Sequence, residues 1–281
     1  MHKLARRKAL NTIALGLCVL FAVVVMLPLF ALLAYVTARG LQNLSVGFFT
    51  NLPAPPRSPE GGLGNALLGT LYMVGIGSAI SLPTGLLAGV HLSEFGRGRL
   101  AFVVRFLCDV LTGVPSIVVG IFVYILLVRT LGTFSALAGG VALSIIMIPI
   151  ITRTVEEILL TVPNDIREAS LALGATSWRT TVSVVFPAAS GGIVTGTMLA
   201  VARAAGETAP LLFTALNSRF WPGGLMEPTA SLPVYIFTYA ISPYQNWQDL
   251  AWAGAFVLVA LLLVANIAAK FVAGRFGTVG R

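Results

Sequence analysis

Arg203 and Glu207 stand four residues apart in an apolar stretch that carries no other charge between Pro187 and Phe213. On a helix that spacing puts both on one face. An arginine at the centre of a membrane helix costs roughly 2.5–3.5 kcal/mol on insertion scales, so it faces a bundle interior and finds a partner. Counted from Ala188 at about 1.5 Å per residue, Arg203 lies about 22 Å up the helix. That is past the middle of an apolar layer about 30 Å thick. Two chemistries fit. In one, the pair is an internal ion bridge that fixes packing. In the other, Arg203 lines an anion path: its planar fork of donors fits two oxygens of a tetrahedral oxyanion, which a lysine cannot do. Glu207 then holds the fork in place or accepts a hydrogen bond from a protonated oxyanion, and Thr208 offers a hydroxyl.

A second set of residues lies just upstream. From Arg153 to Arg179 the chain holds Arg153, Glu156, Glu157, Asp165, Arg167, Glu168 and Arg179, its densest run of charge of that length. Residues 163–174 read as a short helix with marked ends. Asn164 is the N-cap, Asp165 and Glu168 occupy the first turn, and Gly174 takes the left-handed position past the end. A second short helix starts after Thr176 or Ser177 and runs to Val185, and Pro187 opens the climb into the next span. Ile166, Ala169, Ser170 and Leu173 share a face. By pattern alone, this hairpin either lies on a membrane or plugs a groove on a partner.

Both sets need a scaffold within the membrane, and the composition supplies one. Of 281 residues, 57% are hydrophobic and 10% charged, with mean hydropathy +0.92. Soluble domains carry about 25% charged residues, so a water-soluble monomer is excluded, as is a disordered chain. Six apolar stretches reach the length of about 20 residues that one crossing needs. They are residues 12–36, 63–90, 106–128, 134–151, 188–209 and 250–269. The expected fold is all-α, a polytopic membrane protein with six transmembrane helices. The first stretch is too long for a cleaved signal peptide, and Pro28 within it is tolerated in a membrane helix. Residues 39–62 hold Pro53, Pro55, Pro56 and Pro59 and form a loop, as do residues 216–248.

Charge sets the orientation. The N-terminus, residues 94–105, residues 153–187 and the tail from Lys270 share one side and most of the Lys and Arg, whereas the other side has Arg39, Arg57, Arg129 and Arg219. The positive-inside rule makes the first side cytoplasmic, with both termini. The excess of 18 Lys and Arg over 10 Asp and Glu is therefore a loop bias, not a nucleic-acid footprint. Asp109, four residues after Arg105, reads as part of an interfacial ion pair. Gly85 with Gly89, and Gly192 with Gly196, allow close helix approach. Phe220, Trp221, Tyr244 and Trp247 either anchor the outer loop at the interface or help a partner dock. Cys18 and Cys108 read as free thiols, and His2 and His91 have no second ligand type nearby, so no metal centre is supported. No Gly-rich loop followed by Lys-Ser/Thr exists to cradle a nucleotide. No nucleophile with a base is visible in the spans.

Glu168-Ala169-Ser170, three residues, Gly174, nine residues, then Val184-Val185-Phe186-Pro187 resembles the EAA motif of ABC-importer permeases: Glu-Ala-Ala, three, Gly, nine, Ile-x-Leu-Pro. Ser170, Val184 and Phe186 are small or apolar departures. Residues 113–120, Gly-Val-Pro-Ser-Ile-Val-Val-Gly, resemble a segment of phosphate-importer permeases. Residues 202–213 and 230–235 resemble the ending that marks one of their two subunit types. The resemblance runs from Leu63 to the C-terminus, and the first span is similar only in kind. It divides the chain into 1–62, a basic segment with the first span and outer loop, and 63–281, the permease domain with a coupling segment at 164–187.

The resemblance implies a type I ABC importer permease fold with cytoplasmic coupling helices, in the bacterial inner membrane. It implies inorganic phosphate as substrate, moved by alternating access. It implies a second, C-type permease as partner in a heterodimer, and an extracytoplasmic phosphate-binding protein. Two ATPase subunits, each receiving an EAA helix in a groove, would hold ATP and Mg. This chain would bind no cofactor and catalyse no reaction. An Arg and an acid at such positions belong to the family's phosphate path, which favours that role for Arg203, Glu207 and Thr208. Coupling falls to Glu168, Ala169, Ser170, Gly174 and Pro187. A permease for sulfate or molybdate and an intramembrane enzyme are the alternatives.

Overall fold

The structure, a computed structural model, describes residues 2–56, 58 and 61–276; Arg57, Pro59 and the tail beyond Phe276 lie outside them. The described residues are helical with connecting loops. The elements are α1 (His2–Gln42), α2 (Val46–Thr50), α3 (Gly64–Val90), α4 (Arg99–Gly113), α5 (Ser116–Val123), α6 (Arg129–Leu131), α7 (Ala136–Leu160), α8 (Asn164–Ala172), α9 (Ser177–Thr180), α10 (Phe186–Ala205), α11 (Ala209–Thr214), α12 (Leu232–Ala240) and α13 (Gln245–Phe276). Wide π turns extend α3 over His91–Phe95, join α5 to α6 over Tyr124–Val128, and join α9 to α10 over Thr181–Val185.

Among the described residues, five helices are long and apolar enough to cross a membrane. The expected third crossing, residues 106–128, is not one straight helix. It is α4 followed by α5–α6, bent by 103°. The cause is Pro115: it disfavours the α conformation at Val114, whose ψ is 130°. The pair still makes one crossing, because α3 and α7 are parallel. Gly139 lies on Met73, Gly85 on Ile151 and Gly89 on Val155. Two parallel helices require residues 96–135 to return the chain from one end of the bundle to the other. α10 runs antiparallel to α7, with Gly192 on Ile158 and Gly196 on Thr154. Both glycine pairs thus share α7 as partner, where close backbone approach supplies the van der Waals contact that holds membrane helices together.

α7 is the hub. Met147, Ile151, Val155 and Leu159 are buried in one cluster with Val185, Ile193 and Ala200. α1 meets α13, through Tyr35 edge-on to Trp252 and Gly40 on Phe256. At the end away from α8, both expected loops contain helix: α2 in the first, α12 in the second. Trp247 stacks on Tyr239 at 4.6 Å and donates its Nε1–H to the Ala54 carbonyl at 3.2 Å. It therefore ties the two loops together, while Phe220 and Trp221 stay exposed. Burial pushes the Tyr235 phenol in this cluster up to about 12.

Candidate functional site: two helix breaks and a coupling helix

The sequence interrupts helices at two places that meet. One break is Val114–Pro115, with Pro115 directly before α5. The other is Gly206–Thr208, where α10 ends and Pro210 starts α11. The half-helices beyond the breaks pack closely. A Cβ on Gly120 of α5 would come within 2.6 Å of Pro210 Cα in α11. Between the breaks lies a pocket of about 270 Å³ lined by Thr112, Pro115, Ser116, Ile146, Arg203 and Glu207, among others. Ile146 and Ile150 put it near the midpoint of α7, about 15–21 Å from Leu160 at about 1.5 Å per residue.

Arg203 and Glu207 therefore meet in space, although not on one continuous helix: α10 stops at Ala205, and Glu207 sits in the break. Their nearest approach is 3.9 Å, with the Arg203 side chain 59% exposed and Glu207 18%. A guanidinium left so open can still accept an oxyanion. Thr208 is half-buried beside the pair but is not among the residues that line the pocket. Ser116 and the start of α5 do line it, and helix N-termini favour anions. Reading residues 106–128 as one straight span hid Ser116; the Gly-Val-Pro run before it was the available signal.

The coupling segment forms as a short helix, α8, a left-handed Gly174 at φ +84°, and α9. Asn164 does not cap α8; its side chain is within reach of Arg167, at 3.4 Å. The second short helix is not separate. α9, the π turn and α10 run on from Ser177 to Ala205. The π turn absorbs the bond that Pro187 cannot donate, and Phe186 N–H reaches back to the Thr181 carbonyl. Glu168 and Ala169 are exposed. Ser170 turns inward instead of joining the face of Ile166, Ala169 and Leu173, and its hydroxyl lies 2.9 Å from that of Thr180.

Below the pocket is a charged cluster that local spacing did not reveal. Glu156, 2% exposed, receives Arg105 Nε at 2.5 Å and Arg153 Nη1 at 2.6 Å. Asp109 pairs with Arg153 at 3.1 Å, not with Arg105 one turn away. Arg167 of α8 reaches Glu94 at 2.8 Å.

The family described as "Binding-protein-dependent transport system inner membrane component" matches residues 81–278. The chain is 45% identical over 263 residues, 93% of each chain, to "Phosphate transport system permease protein PstA" of Haemophilus influenzae. It is 42% identical to the protein of that name from Yersinia pestis, over 96% of this chain and 92% of the relative. Among solved structures, the MetNI methionine ABC transporter in an inward-facing conformation matches 76% of this chain and 94% of its own at TM-score 0.59 and 21% identity, a likeness of fold. By fold this is a type I ABC importer permease, a transport subunit and not an enzyme. The chain belongs to the family of binding-protein-dependent transport system inner membrane components, together with the PstA permeases.

Proposed function

We propose that this chain is one of two permease halves of an ATP-driven inorganic phosphate importer, and that phosphate passes Arg203 and Glu207 by alternating access. The observation that carries this reading is the convergence of two helix breaks on one arginine at mid-membrane depth. Broken helices with their N-termini at an anion are a recurrent way to hold a charged substrate within a bilayer. The names of the PstA relatives supply the substrate class. Arg203 grips phosphate through its fork, Glu207 accepts from a protonated oxygen, and Thr208 serves as a neighbouring donor.

The wide exposure of Arg203 suits a surface that a second, C-type permease covers. Residues 63–281 form the transport unit and residues 1–62 an added anchor. The α8 end faces the cytoplasm of the bacterial cell, with both termini. There α8 and α9 enter grooves on ATPase subunits, which hold ATP and Mg. Glu168 and Ala169 present the contact, Ser170 and Gly174 shape it, and Pro187 joins it to α10. A phosphate-binding protein docks at the other end.

The test is uptake of labelled phosphate into proteoliposomes holding the whole complex, with sulfate and molybdate as competitors. Uptake that excess sulfate or molybdate abolishes while excess unlabelled phosphate does not would sink the substrate assignment.

A further inference from the structure

The two helix breaks wall the pocket beside α7, and α8 reaches them by different routes. The Arg203 wall is direct: Ser170 bonds Thr180, and the helix from Ser177 runs unbroken to Ala205. The Val114–Pro115 wall is carried by α4, which ends at Gly113, 51 residues before α8 begins at Asn164, with α7 between them. Arg167 and Arg105 bridge that gap. Arg167 Nη2 donates to Glu94 Oε1 at 2.8 Å and to the Leu159 carbonyl at 2.8 Å, and Nη1 donates to the Val162 carbonyl. Glu94 lies in the π turn that ends α3. Two residues earlier in that turn, the Leu92 carbonyl accepts from Arg105 Nη2 at 2.9 Å. Arg105 is on α4, and its Nε is held by the buried Glu156. Eight residues further, α4 ends at the break.

We propose that Arg167 and Arg105 are positioning residues that relay the displacement of α8, through Glu94 and the π turn of α3, to the Val114–Pro115 wall of the Arg203 pocket. The relay keeps the two walls in step. π turns inside helices recur at functional positions, and this one exposes the Leu92 carbonyl to the arginine. Each guanidinium joins a carboxylate to a backbone carbonyl, so it grips a helix and not merely a side chain. Without the relay, α10 follows the ATPase and α4 does not. ATP is then hydrolysed without moving the anion.

This inference rests on the importer reading above. The experiment compares Glu94→Gln, Arg105→Gln, the double variant and Arg105→Lys in the complete complex in proteoliposomes. The readout is phosphate imported per ATP hydrolysed, which a simple loss of protein does not change. Arg105→Gln leaves Glu156 paired with Arg153, and Glu94→Gln leaves the Arg167 guanidinium with the Leu159 and Val162 carbonyls as acceptors. The expected ratio falls about tenfold in each single variant, a coupling loss of the size a network residue can carry. The double variant falls no further, because both changes cut one route. Arg105→Lys keeps the charge beside Glu156 but cannot fork to Leu92, and its ratio falls as well. A normal ratio in Arg105→Lys, or its failure to assemble, overturns the relay and leaves Arg105 as a folding residue. Wild-type complex that imports no phosphate overturns the importer reading instead.

Discussion

Arg203 Nε and Glu207 Oε1 stand 3.9 Å apart across the end of α10, at the outer limit of an ion pair. A pair that merely fixed packing in a membrane would be closed and dry, since burial strengthens the attraction between opposite charges. This one is loose and open on the arginine side. Glu207 is the more buried member, as the proposed tether of an anion-binding Arg203 would be.

That asymmetry separates path from packing. Arg203→Lys keeps the charge and loses the fork. Arg203→Leu with Glu207→Leu removes both charges, a change that is often neutral for stability. Both variants should assemble and take up phosphate at roughly a tenth to a hundredth of the wild-type rate, given that a lost bidentate charged contact is worth about 1.5–3 kcal/mol. Near-normal uptake by the double-leucine variant, normalised to assembled complex on a membrane blot, would leave Arg203 as a packing residue.

The orientation invites single-cysteine labelling after replacement of Cys18 and Cys108. Cysteines placed within residues 94–105 or 153–187 should resist an impermeant reagent added outside intact cells. Those within 216–231, where Phe220 and Trp221 are exposed, should react. Labelling of a cysteine at Leu173, which is 90% exposed, from the outer side would reverse the assignment.

Legibility followed locality. Arg203, Glu207 and Gly174 could be found because each breaks its own neighbourhood: charge in an apolar run, or glycine at the end of a helix pattern. Glu94 with Arg167 and Arg105 with Glu156 could not, because the partners are 73 and 51 residues apart in sequence, and the packing of α3 and of α4 against α7 brings them together. Asp109 does form an ion pair, and its partner was hidden for the same reason. One turn of helix offered Arg105, but tertiary packing offered Arg153. The broken third span lay between these cases. Pro115 announced it, and uniform hydropathy on both sides concealed it.

Gly120 tests the contact between the half-helices. Its Cβ would sit 2.6 Å from the Pro210 Cα, a backbone atom that cannot swing aside. Gly120→Ala should therefore push α5 off α11 and distort the pocket, costing about 1–3 kcal/mol as overpacking does. Phosphate uptake should fall severalfold or more while the complex still assembles. Gly75→Ala is the control, since nothing lies within 4 Å of that position. Equal uptake by the two alanine variants would show that the half-helices move freely past each other.

Gly174 tests the coupling turn, and here space is not the issue. No atom lies within 4 Å of a Cβ built there, yet φ is +84°. A β-branched side chain is strained in the left-handed region by about 1–2 kcal/mol, whereas asparagine visits it readily. The turn is held by the Ala175 N–H to Ser170 carbonyl bond at 3.2 Å and the Gly174 N–H to Leu171 carbonyl bond at 2.9 Å. Losing it lets α8 swing away from α9 and costs the Ser170–Thr180 contact. Gly174→Val should insert and assemble but hydrolyse ATP with little response to loaded binding protein. Gly174→Asn should keep most of the response. If valine and asparagine behave alike, the left-handed turn is not what couples α8 to α10, and the exposed Glu168–Ala169 surface acts without it.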